Sequence, residues 1–135
     1  MLLRLLETLK GTEVSAHCDL PCGVYDPAQA RIEAESVKAT IAKYHASSDE
    51  AFRTRAILVK EERSELVKHH LWVLWTDYFK APHFEKYPQL HTLFNEATKL
   101  AGTGGTKGST DEAVADQLLA KIEEISKIFW ETKQS

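Results

Sequence analysis

Residues 27–46 read PAQARIEAESVKATIAKYHA, and the apolar positions Ala30, Ala34, Val37, Ile41 and Tyr44 advance by steps of four, three, four and three. That spacing sets them on one face of an α-helix, with Glu33 at the edge of the face. Asp26 and Pro27 supply the start, because Asp caps a helix, Pro fits its first position, and Gln29 stands where a capping-box partner would.

Downstream, Ser47 and Glu50 form a second capping-box pattern, which predicts a long helix to about Phe79. Phe52, Ala56, Val59, Leu66, Val73 and Trp75 supply much of its apolar stripe, Arg63 and His70 fall on the same stripe, and Pro82 stops it. A third, shorter helix fits residues 88–100, with Leu90, Leu93, Phe94, Ala97 and Ala101 facing inward. The run GTGGTKGS at 102–109 reads as a flexible loop. Ser109 and Glu112 then open a last helix to about residue 132, buried through Val114, Leu118, Ile122, Ile125 and Phe129. No strand alternation, internal repeat or nucleotide-binding glycine motif competes. The fold expected is all-α, an antiparallel up-down four-helix bundle over residues 27–132.

The length of 135 residues suits a single domain able to bury roughly two-thirds of its unfolded surface. A net charge of −3, from 17 basic and 20 acidic residues interspersed, leaves no basic stripe for nucleic acid and favours small, diffusible partners. No continuous apolar run approaches the roughly 18 residues of a membrane span. Residues 1–16, MLLRLLETLKGTEVSA, end in a small-residue junction, yet Arg4, Glu7 and Lys10 interrupt any signal-peptide core. A cytoplasmic protein with a removable leader is expected, rather than a secreted one.

The chain has two cysteines, and both fall in HCDLPCGVYDP at residues 17–27, beside His17. Cleavage between Ala16 and His17 would free an α-amine. With the Cys18 backbone nitrogen and the Cys18 and Cys22 thiolates it makes two nitrogens and two sulfurs near one plane. Such a set suits nickel(II) or copper(II), and the His17 imidazole is left to reach an axial position. Other readings are incidental thiols, a structural zinc site, for which three side-chain ligands are one too few, and a redox dithiol, for which the C-x-x-x-C spacing is wrong. A disulfide across so short a loop would constrain little. His69, His70, His83 and His91 are read as structural or surface histidines, and HFEKYP at 83–88 as a subunit contact.

HCDLPCGVYDPAQARIEAESVKA, from His17, resembles the start of mature nickel superoxide dismutase, and KHHLWVLWTDYFKAPHFEKYPQLH, at 68–91, resembles its central block. The likeness extends to FWETK near the C-terminus. It implies a leader over 1–16, a single domain over 17–135 with a metal-binding hook at 17–25, one nickel ion per subunit, and dismutation of superoxide by Ni(II)/Ni(III) cycling. His17, Cys18 and Cys22 are the implied ligands. Glu33 and Arg63 match the pair that fixes the axial imidazole, Tyr25 and Tyr78 match tyrosines lining the approach, and Asp19 and Lys80 match positions near the entrance. The resemblance also implies a homohexamer, a maturation protease and a cis peptide at Pro21. The alternatives are a nickel or copper delivery protein without turnover and a purely helical assembly module.

Overall fold

The computed structural model describes residues 23–134. Among the described residues there are five α-helices: α1 (Ala28–Ala46), α2 (Glu50–Val73), α3 (Ala81–Lys86), α4 (Leu90–Leu100) and α5 (Glu112–Gln134). A π-helical turn, Leu74–Tyr78, continues α2. The packing runs α1 on α2, α1 on α5, α5 on α4 and α4 on α2. Each long helix therefore has two neighbours, and the connections make the order up-down-up-down, as the sequence predicts.

Helix α1 starts where Asp26 Oδ1 accepts the Ala28 N–H at 2.8 Å. It buries Ala30, Ala34, Val37 and Ile41. Helices α4 and α5 bury Leu90, Leu93, Phe94 and Ala97, and Leu118, Ile122, Ile125 and Phe129, as read from their spacing, except that Ala115 and not Val114 is the buried residue in the first turn of α5. Apart from Ala115, these residues of α4 and α5, with Val67, Leu71, Leu74 and Phe79, form the main core cluster. Ion pairs of 2.6 Å between Lys38 and Asp116 and of 2.7 Å between Lys121 and Glu96 tie α1 and α4 to α5.

Helix α2 departs from its expected description in three ways. Its cap is Asp49, which accepts the Phe52 N–H at 2.9 Å, whereas Ser47 accepts from Asp49 itself. Its buried seam is Ala56, Lys60, Ser64, Val67 and Leu71, while Phe52 and Trp75 are each 41% exposed. The helix also does not run regularly to Phe79: the Phe79 N–H bonds to the Leu74 carbonyl five residues back, at 2.9 Å, which is π geometry. Helix α3, with Pro82 in its first turn and Pro88 just beyond its end, lacks the length to show a periodic pattern.

The glycine-rich segment after α4 is a packed series of turns. Gly102, Gly105 and Thr106 are buried. A Cβ on Gly105 would sit 1.9 Å from the Leu100 carbonyl oxygen, so only glycine fits that approach. Lys60, 3% exposed, reaches across from α2 and donates to the carbonyls of Lys107 and Ser109 at 3.0 and 2.8 Å. Beside it the Ser64 and Thr106 hydroxyls pair at 2.9 Å. No helix among the described residues is long and apolar enough to cross a membrane.

Candidate functional site

At the end of the bundle where the chain enters α1, Gly23 has φ 85°, a left-handed turn natural to glycine. Two residues on, the half-buried Tyr25 meets Tyr78 from the π turn, ring centroids 5.7 Å apart and tilted by 60°. Both rings line a cavity of about 230 Å³ with Gly23, Asp77, Lys80, His83 and Lys133.

Tyr78 is held on several sides. Its ring packs on Phe129 at 4.3 Å and on Phe79 at 5.0 Å, and it stacks on His83 at 5.8 Å with the planes 10° apart. Its hydroxyl lies 2.6 Å from the Thr132 hydroxyl, which donates to the Phe129 carbonyl. A hydroxyl has one proton to give, so Tyr78 donates to Thr132. The Lys133 ammonium stands 5.1 Å from the Tyr78 ring centre, a cation over an aromatic face. Two lysines against one aspartate make the cavity wall net positive.

Glu33 and Arg63 meet as the sequence predicts, from facing helices: Arg63 Nη1 donates to the two Glu33 oxygens at 3.3 and 3.2 Å. His70 lies near them, and burial, then the neighbouring His69, hold its imidazole below the usual histidine range, against a smaller opposite pull from Glu33. Glu33 is five residues beyond Ala28, the first residue of α1, about 7.5 Å along the helix axis at 1.5 Å per residue. The structure thus brings Tyr25, Tyr78 and Lys80 to one cluster and Glu33 with Arg63 to another.

Ala16, His17, Cys18, Asp19, Pro21 and Cys22 lie outside the described residues, and with them residues 17–22 of the hook and the peptide before Pro21. Among the described residues no group of three or more His, Cys, Asp or Glu side chains could hold a metal ion. The donor chemistry that fits nickel, two thiols beside a histidine, occurs at residues 17–22, ahead of this end of the bundle. His83, read from the sequence as a structural or surface histidine, and Lys133, at the end of FWETK, are cavity residues to which the sequence reading assigned no role here. Their signal is spatial, since each meets Tyr78 from a different helix.

A four-helix bundle preceded in sequence by two cysteines and a histidine, residue types that suit a transition metal, has the features of a helical metalloprotein. The family description of nickel-containing superoxide dismutase matches residues 12–133. The nickel superoxide dismutase of Streptomyces seoulensis is 63% identical over 123 residues, covering 91% of this chain and 92% of the relative. That of Streptomyces coelicolor is 61% identical over 122 residues, covering 90% and 92%. A native nickel superoxide dismutase structure at 1.30 Å superposes with a TM-score of 0.84 at 60% identity, over 88% of this chain and 100% of that one. The chain belongs to the nickel-containing superoxide dismutase family.

Proposed function

We propose that the family's reaction, nickel-dependent dismutation of superoxide to dioxygen and hydrogen peroxide, is carried in this chain by His17, Cys18 and Cys22, which hold one nickel ion once the bond after Ala16 is cut. The observation that carries this reading is the Tyr25, Tyr78 and Lys80 cavity at the end of the bundle where the donor segment joins α1. Bound nickel supplies a one-electron Ni(II)/Ni(III) couple, enough to convert two superoxide ions and two protons to dioxygen and hydrogen peroxide.

The chain's own groups do the rest. Cys18 and Cys22 act as anionic thiolates, and the freed His17 amine and the Cys18 backbone nitrogen complete the donor set. Glu33 and Arg63 orient the His17 imidazole, as partners behind a ligand do at other metal sites. A nine-residue segment extends up to about 30 Å, so residues 17–25 can serve both clusters. Tyr25 and Tyr78 line the approach and exclude larger molecules. Lys80, with Asp19 near the entrance, shapes the field that draws in the anion. A delivery protein without turnover is not favoured, because the relatives that cover nine-tenths of the chain are superoxide dismutases.

Removal of residues 1–16 by a maturation protease fits the solved chains, which 88% of this chain covers in full. Half-exposed Trp72, Trp75 and Trp130 suit a homo-oligomer, a hexamer by family likeness.

The test uses the chain beginning at His17, loaded with nickel. Cys18→Ser is expected to lower superoxide decay by more than about 100-fold, beyond the 10–100-fold typical of losing a partner behind a ligand. Undiminished activity would overturn the ligation.

A further inference from the structure

His83 joins two parts of the cavity wall. Its Nδ1 accepts the backbone N–H of Lys80 at 3.1 Å. In return the Lys80 carbonyl accepts the N–H groups of His83 and Phe84 at 2.9 and 3.2 Å, so the Lys80 backbone is held on both sides. This is half of a capping box: the side chain at the third helical position closes back on the cap residue, and a lysine cap has no acceptor to offer in exchange. The same imidazole lies flat against Tyr78 and edge-on to Phe79, 5.8 Å from each. Burial, and then the Lys80 charge, hold His83 below the usual histidine range, in keeping with an unprotonated Nδ1 that can accept.

We infer that His83 is a positioning residue for the approach of the anionic substrate: its Nδ1 fixes the backbone of Lys80 and its ring backs Tyr78, so cation and gate keep a fixed spacing at the mouth of the cavity. The long lysine side chain loses conformational freedom only if its root is rigid. Without the Nδ1 acceptor the Lys80 N–H has no hydrogen-bond partner among the described residues, and the ammonium spreads over a wider volume. The inference rests on the reading of Lys80 as the cation that draws superoxide in.

The experiment measures kcat/KM for superoxide against ionic strength on the nickel-loaded chain beginning at His17, and amide exchange at Lys80 in the metal-free chain. Steering by one of two lysines gives a dependence that salt screens. Lys80→Ala is expected to lower kcat/KM about threefold and to flatten that dependence. His83→Phe, which keeps an aromatic ring against Tyr78 but offers no acceptor, is expected to do the same with nickel content unchanged, and to speed Lys80 exchange about tenfold or more. His83→Gln, which restores the acceptor without the ring, is expected to recover the salt dependence and slow exchange. In a Lys80→Ala background His83→Phe should add nothing.

An unchanged salt dependence in Lys80→Ala overturns the reading of Lys80, and this inference with it. A Lys80 effect without a matching His83→Phe effect, additivity in the double variant, or a glutamine variant that behaves like the phenylalanine one overturns the inference alone.

Discussion

Lys60 illustrates how one residue fixes a loop. Its ammonium is taken out of water by α2 and by residues 107–109, and it donates to two of their carbonyls. Burial lowers its pKa from 10.5, and nearby Glu61 opposes this more weakly. A lysine with a depressed folded pKa binds fewer protons folded than unfolded, so stability rises as pH climbs toward 10.5 and the full penalty is present well below that window. Lys60→Met removes the donors while leaving the Lys107 and Ser109 carbonyls buried, and should cost about 1–3 kcal/mol at pH 7. Urea denaturation of parent and variant at pH 7 and 9.5 checks both points. The gap between them should widen at the higher pH, and a constant or shrinking gap would refute that sign.

At the scale of elements, the π turn sets where the cavity lies. One extra residue over Leu74–Tyr78 turns Tyr78 toward Phe129, Tyr25 and Thr132. Inserting one alanine after exposed Thr76 would add a residue beyond the one the turn already takes up, and would swing Tyr78 by about 100° around the axis. Helical content should survive, because Thr76 adds only local bonds to Trp72 and Asp77. Superoxide turnover should fall on the order of 100-fold through misplacement alone; circular dichroism with an activity assay decides it, and full activity would show that the turn is incidental. This turn was invisible in the sequence, since no residue type demands it. Helices α4 and α5 were legible because their buried faces are apolar throughout, Leu, Ile and Phe with an alanine in each. Helix α2 misled because its buried seam includes Lys60 and Ser64 while Phe52 and Trp75 face outward, so placing apolar residues inside selects a neighbouring face. The pairing of Glu33 with Arg63 was readable from periodicity and likeness together. The contribution of His83 was not, because it depends on which helix end folds over which ring.

For the molecule as a whole, the question is what covers its outward aromatic groups. Trp72 and Trp75 are 43% and 41% exposed. With His91 and Phe94 they line a groove of about 580 Å³ between α2 and α4. Trp75 donates to His91 Nδ1 at 3.1 Å, and Phe84 stacks on the face of the same imidazole at 4.1 Å. The groove is therefore built from side chains already fixed in the monomer, which lowers the entropy of pairing. A stable interface needs roughly 800 Å² from each partner, with aromatic anchors near its centre. Sedimentation should show the parent chain as an oligomer at micromolar concentration, and Trp72→Glu with Trp75→Glu should bring it to monomer mass with its helical content intact. A parent that sediments as a monomer would remove oligomerisation from the proposed function, and a double variant that stays oligomeric would move the interface off this groove. Nickel affinity measured on the monomeric variant then separates a metal site completed within one chain from one that needs its neighbour. The proposed ligands His17, Cys18 and Cys22 all belong to one chain, so the expected result is an affinity within about tenfold of the parent.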